Sequence, residues 1–315
     1  MTNSRPKTAE ANLFLSVGRQ IRHLLLHTPQ YLVSWLIADA LYILVLSAYL
    51  GQEISLTLPK FILVHLLGVA VGTMVMFSGI GAGVLWIPVL TLLDIRPAEA
   101  VSISIFTQIA GKGMGSLTYL LTGLVDLAVA KRLIPLALLG VGLGYFSGFY
   151  LSFQYERLLL YIFLIIAVYL LVRTVQSLYR PAEESKEPPS ERKLTKSYPV
   201  AVFSSFFTGL LSIGNTDWLI PHMEQKLGMP THRAVATGLF IMFATTLFYL
   251  LLMSLNVWAG FRAWPPGTPL LFATCSGVVV GGQFGTRLTR YPWFRGHQKH
   301  AFILMLTLSI IHLLW

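Results

Sequence analysis

Ser78-Gly-Ile-Gly-Ala-Gly-Val-Leu-Trp-Ile-Pro88 interrupts one apolar run with three glycines and a proline, and Leu211-Ser-Ile-Gly-Asn-Thr-Asp-Trp-Leu-Ile-Pro221 interrupts another with one glycine, a polar Asn-Thr-Asp run and a proline. Helices should break at both places. Glycine inside a helix gives up more conformational freedom than any other residue, and proline removes a backbone donor and crowds the preceding turn. Each stretch leads into a similar start: Pro97-Ala-Glu-Ala-Val101 after the first, Pro230-Thr-His-Arg-Ala-Val235 after the second. Ile80, Gly81 and Pro88 match Ile213, Gly214 and Pro221 at one constant offset, and a slip of one residue then aligns Ala100-Val101 with Ala234-Val235. A third element repeats too. Gly140, Gly144 and Gly148 recur four apart, as do Gly277, Gly281 and Gly285. Such a ridge on one helix face lets another backbone come close, a packing device rather than a binding one. The chain reads as two copies of one unit.

The surroundings of these breaks decide the class. Of the 315 residues, 55% are hydrophobic and 11% charged, against about a quarter charged in a soluble domain. A helix needs about 20 apolar residues to cross a bilayer. Long candidates lie near 31–50, 61–80, 98–122, 132–152, 157–175, 198–213, 231–255, 267–288 and 299–315, with short segments near 82–93 and 216–228. The expected fold is therefore an all-α membrane protein with about nine long transmembrane helices and two short broken or re-entrant segments. The net charge of +10 does not point to nucleic acid, because Lys and Arg sit between apolar spans, where they orient helices in the membrane. Cys275 is the single cysteine, which leaves no internal disulfide and no cysteine-rich metal site.

Residues 1–57 are expected to hold an interfacial amphipathic stretch (Leu13 to Leu26) and an extra first span, with no cleaved signal peptide. Residues 58–176 form the first repeat, 177–197 a cytoplasmic linker and 198–315 the second repeat. The linker assignment rests on Arg180 to Ser197, rich in Glu, Lys, Pro and Ser and unable to bury apolar area. If the short segments reverse the chain, Lys and Arg gather strongly on the side of the N-terminus; if they do not, the two sides nearly balance. The positive-inside rule favours reversal and a cytoplasmic N-terminus. Each repeat then has an odd number of segments, so the second is inverted relative to the first. Inverted repeats with broken helices are typical of secondary transporters, whose sites lie near the midplane.

Candidate site residues follow from that arrangement. Gly79, Gly81 and Gly83 in the first break, with Gly214, Asn215 and Thr216 in the second, would expose backbone N–H groups suited to an anion such as sulfite or a sulfonate. The alternative is a tight turn that only lets helices pack. Lys112, within Ala110-Gly-Lys-Gly-Met-Gly115, lies mid-span; an ionised lysine there costs about 2.5–3.5 kcal/mol on insertion scales and needs a ligand, a cavity or a partner. Two readings stand, anion binding and an ion pair with Asp39 or Asp217. Asp217 takes the place of Val84 in the first copy and Thr246 approximately that of Lys112. Asp217 is a proton carrier, a counter-charge to Lys112 or a helix cap; Asp39, in the first span, suits a polar contact or helix packing better than coupling. Thr107 and Gln108 stand a turn before Lys112, and Thr237, Thr245 and Thr246 offer hydroxyls from the second copy. His222, His232 and Arg233 fall near a connection, while His65 and His312 are weak candidates for proton transfer.

On these residues the chain resembles the sulfite exporter TauE/SafE family, over roughly residues 60 to 315. Gly79-Ile-Gly-Ala-Gly83 with Pro88 carries the likeness in the first half, Ile213-Gly214 with Pro221 and His232-Arg-Ala-Val-Ala-Thr237 in the second. Asn215, Thr216 and Asp217 stand where the family pattern has glycines, and Lys112 is outside that pattern. The resemblance implies transport of sulfur-containing anions such as sulfite, sulfonates or sulfoacetate across a bacterial inner membrane. The expected function is secondary transport of such an anion by alternating access, with a proton as the default coupling ion, and no enzymatic activity. The competing expectations are a membrane-embedded enzyme and a structural or assembly subunit without transport. No metal or other cofactor is expected. The partners are the small anion and the lipid bilayer, without nucleic acid, and a homodimer is left open.

Overall fold

The computed structural model describes residues 58–79, 81–91, 97–154, 156–179, 191–261 and 269–288, with separate positions between 291 and 311. The N-terminal interfacial stretch, the first span at 31–50 with Asp39, residues 180–190 of the linker, and His312 lie outside the described residues. Within them the chain is all-α: α1 (Leu58–Ser78), α2 (Gly83–Thr91), α3 (Pro97–Leu121), α4 (Leu127–Gln154), α5 (Glu156–Tyr179), α6 (Glu191–Thr195), α7 (Tyr198–Leu211), α8 (Thr216–Leu227), α9 (Thr231–Trp258) and α10 (Pro269–Leu288). The short α6 occupies the end of the expected linker, and its Leu194 is buried in the core. Leu127–Leu151, Arg157–Gln176 and Thr231–Trp258 are each long and apolar enough to cross a membrane. Their outer faces suit that placement: Leu139, Leu143 and Phe146 on α4 and Tyr161, Ile165 and Tyr169 on α5 are exposed. Water would penalise that much uncovered apolar surface, and lipid does not.

Both expected breaks are present, and they are built alike. α1 ends at Gly79 (φ 77°) and α7 ends at Ser212 (φ 59°), matching positions in the two halves that share the left-handed conformation. Gly79 donates its N–H to Val75 O at 2.8 Å, and Ser212 to Thr208 O at 2.9 Å. The helices restart identically as well. Val84 N–H bonds Gly81 O and Trp86 N–H bonds Ala82 O, just as Asp217 N–H bonds Gly214 O and Leu219 N–H bonds Asn215 O. Glycine tolerates the left-handed region freely; Ser212 is held there by the interactions of its side chain, described below.

The α7–α8 pair is a hairpin rather than a continuous rod. His222, on α8, shares a 2.9 Å hydrogen bond with Ser197, which immediately precedes α7. The chain thus returns to the level at which α7 began. At about 1.5 Å per residue, the 12 residues of α8 and the 9 of α2 are too short to span a hydrocarbon layer alone.

The two halves grip each other through the glycine ridges. On α4, a side chain at Gly144 would place its Cβ 1.9 Å from Phe206 O on α7, and one at Gly140 would meet Val202 O at 2.2 Å. On α10, a Cβ at Gly277 would fall 2.1 Å from His65 O on α1, and one at Gly281 2.2 Å from Val69 O. The glycine helix of each half therefore lies backbone to backbone against the first helix of the other half. Two apolar clusters complete the interior. The larger joins α1 to α4 with α8, α9 and α10; the smaller packs α5 against the second break through Leu211, Ile213 and Trp218.

Candidate functional site

The two glycine breaks touch. A Cβ on Gly81 would lie 2.0 Å from Gly214 N, one on Gly214 would lie 2.2 Å from Gly81 Cα, and one on Gly83 would strike Ser212 O at 2.0 Å. Only hydrogen-sized side chains allow this approach. Gly79 sits beside them, its Cβ direction filled by Ile220 and Val235. The two breaks meet at the level of backbone atoms.

Asp217 stitches the breaks. Its Oδ1 accepts the N–H of Gly81 at 2.9 Å, so one backbone donor offered by the first break is taken by a carboxylate from the second half. Among the described residues Oδ2 is buried without a hydrogen-bond partner. Asn215 donates from Nδ2 to Ser205 Oγ at 3.1 Å on α7, and its Oδ1 is likewise buried and unpartnered. Thr216 turns its hydroxyl the other way, toward Met242 Sδ at 3.5 Å. Neighbouring residues of this one turn thus face different elements.

Lys112 is fully enclosed, with 1% of its surface exposed. Its ammonium donates to Gln108 Oε1, one turn back on α3, and to Met242 Sδ on α9 at 2.7 Å. Gln108 in turn donates from Nε2 to Ser212 Oγ at 2.6 Å, and Ser212 Oγ–H reaches Ser104 Oγ at 3.0 Å. The ammonium is thereby tied through one amide to the left-handed residue that ends α7. Lys112 and Asp217 interact electrostatically across the site, yet neither hydrogen-bonds the other among the described residues. Pairing with Asp39 lies outside them.

A narrow cavity opens beside Lys112, lined by Met76, Trp86, Thr107, Gln108, Lys112 and Val278 among others. It admits about one water molecule. Gly111 and Gly282 keep α3 and α10 close at this level; a Cβ on Gly282 would meet Gly111 O at 2.7 Å. Thr107 lines the cavity while its own hydroxyl donates to Ser104 O.

Other expected donors are engaged elsewhere. Thr237 accepts the backbone N–H of Asp126 at the start of α4, so it braces the α3–α4 connection. Thr245 and Thr246 donate to carbonyls of their own helix, Met242 O and Met242 O with Phe243 O respectively. His65 shares a 2.6 Å hydrogen bond with Ser276 across the α1–α10 contact. Met242, Ser104 and Ser212 were not singled out by sequence. The alignment of the halves holds the missing signal, because the offset that pairs Ala100 with Ala234 also pairs Gln108 with Met242. The ammonium is flanked by the two matching positions.

Broken helices that meet backbone to backbone around an enclosed cation, on a scaffold with lipid-type outer faces, define a helical membrane transporter. The family model for "Sulfite exporter TauE/SafE" matches residues 64–313, and the chain belongs to that family. It is also similar to the "Probable membrane transporter protein YjnA" of Bacillus subtilis (strain 168), with 24% identity over 234 residues covering 72% of this chain and 91% of that protein. No solved structure matches.

Proposed function

We propose that this transporter carries a small sulfur-containing anion, sulfite, a sulfonate or a sulfoacetate-like molecule, by alternating access across a bacterial inner membrane, with its N-terminus in the cytoplasm. The observation that carries this reading is Lys112, an ammonium enclosed in the interior beside a cavity and, among the described residues, without a carboxylate in contact. A buried cation needs a counter-charge, and a mobile anion supplies one. The family's description names sulfite export, which sets the expected chemistry of the cargo.

Inverted repeats give the mechanism its form. Positions that match in sequence, Gly81 and Gly214, also meet in space, as expected for residues on the axis that relates two copies. Each glycine helix lies on the other half's first helix, as the same axis requires. The cavity is too narrow for sulfite, so loading needs α1, α2, α3 and α10 to part. In this scheme Thr107, Gln108, Lys112 and Thr216 contact the anion, the backbone of Gly79, Gly81, Gly83 and Gly214 lets the breaks flex, and Asn215 positions the second break. Asp217 is the proton carrier, since among the described residues its Oδ2 is buried without a donor and a proton would satisfy it.

Counterflow in proteoliposomes with sulfite, thiosulfate, sulfoacetate, taurine and sulfate tests the assignment. Exchange of at least one sulfur anion is expected, together with a fall of about tenfold to a hundredfold in Lys112→Ala. If none of the panel exchanges, the sulfur-anion reading is wrong.

A further inference from the structure

Within that reading, we propose that Met242 is the internal competitor of the transported anion and so sets its affinity. Two hydrogen donors from opposite halves converge on the Met242 sulfur: the Lys112 ammonium at 2.7 Å and the Thr216 hydroxyl at 3.5 Å. Thioether sulfur is a weak acceptor, whereas ammonium and hydroxyl are strong donors. In a low-dielectric interior a charged donor gains far more from an anionic oxygen than from neutral sulfur. Thr216 belongs to the second break and Lys112 to α3 of the first half, so an oxygen accepting from both would join the halves around one ligand.

The sulfur is well placed to yield. Methionine is unbranched and flexible, and it moves between rotamers at little expense. Met242 is wholly buried on α9, opposite the Gln108 amide that takes another ammonium hydrogen. The matching position of the first half thus holds a strong neutral acceptor, and that of the second half holds a weak one. Gln108 keeps the ammonium in place, and Met242 covers the hydrogen that the anion draws away on binding. Two acceptors as good as Gln108 would leave the ammonium satisfied and the anion poorly bound; none at Met242 would leave it more available.

The test is sulfite and sulfoacetate counterflow by the full chain in proteoliposomes, comparing Met242→Leu, Met242→Gln and Lys112→Ala with the unaltered protein. Met242→Leu removes the sulfur and keeps the volume, and the KM is expected to fall severalfold. Met242→Gln supplies a strong acceptor, and the KM is expected to rise about tenfold. Maximal exchange per reconstituted molecule should change less than KM in both. A merely structural role for Met242 would lower protein yield without moving KM in opposite directions. If Lys112→Ala impairs exchange while both Met242 variants keep the original KM, the competitor role is overturned and the transport site stands. If Lys112→Ala exchanges normally, or no anion exchanges at all, the site reading fails and this inference fails with it.

Discussion

At the scale of single residues, the energetics turn on polar groups held in the interior. Lys112 donates to one amide oxygen and one sulfur, a thin provision for a buried cation. Replacing it with alanine is expected to lower anion exchange about tenfold to a hundredfold, the range for losing a charge-assisted hydrogen bond. Folding should suffer less, because the burial cost of the charge disappears with it; comparing thermal midpoints of the purified proteins checks this. A drop in stability as large as the drop in transport would mark Lys112 as structural. Asp217→Asn keeps the shape and can still accept the Gly81 N–H, but it cannot carry a proton. Anion exchange should persist while anion-driven proton movement, read with an internal pH dye, is lost. Retained proton movement would remove Asp217 from that role.

At the scale of elements, close backbone approach replaces the hydrophobic effect, which is weak between helices already in lipid. Gly144→Ala would set a Cβ against the Phe206 carbonyl, and Gly277→Ala one against the His65 carbonyl, so the helix pairs must separate. Each substitution is expected to destabilise by about 1–3 kcal/mol, as overpacking does elsewhere, read as a lower unfolding midpoint in detergent. Gly142→Ala is the control on the same helix, since its nearest neighbour is a flexible Phe248 ring at 3.7 Å; its midpoint should hardly move. The α7–α8 hairpin makes the same point about length. The break at 212–215 divides a stretch that apolarity alone would run together, while Pro221 lies inside α8, and the Ser197–His222 hydrogen bond marks where the chain comes back.

For the whole molecule, the question is how the halves are oriented in the bilayer. Inverted repeats require Lys131, Lys193 and Arg233 to lie on one side and Arg157 and Phe261 on the other. Single cysteines at these positions, in a Cys275→Ser background, should be labelled by an impermeant thiol reagent in two groups divided in that way. Labelling of Arg233 with Arg157 would give the repeats the same orientation and end the inverted scheme. Alternating access needs the Gly81–Gly214 contact to survive movement, so Gly81→Ala should remove transport even where protein still reaches the membrane.

Much of this protein was legible from one strand of text, because membrane insertion is governed by local composition. Apolar runs set the helices and glycines lie in both breaks, while Pro88 and Pro221 are carried inside α2 and α8; these two short helices fall close to where 82–93 and 216–228 were expected. Which residues meet was not legible. Thr237 looked like a ligand beside Lys112 and instead holds the N–H of Asp126, whereas Met242, an ordinary apolar residue in a span, lies on the ammonium. Burial and helix propensity act along the chain and can be read from neighbours. The direction in which a side chain points across a helix interface depends on how two distant helices rotate against each other, and here glycine backbones from both halves settle that only once they are packed.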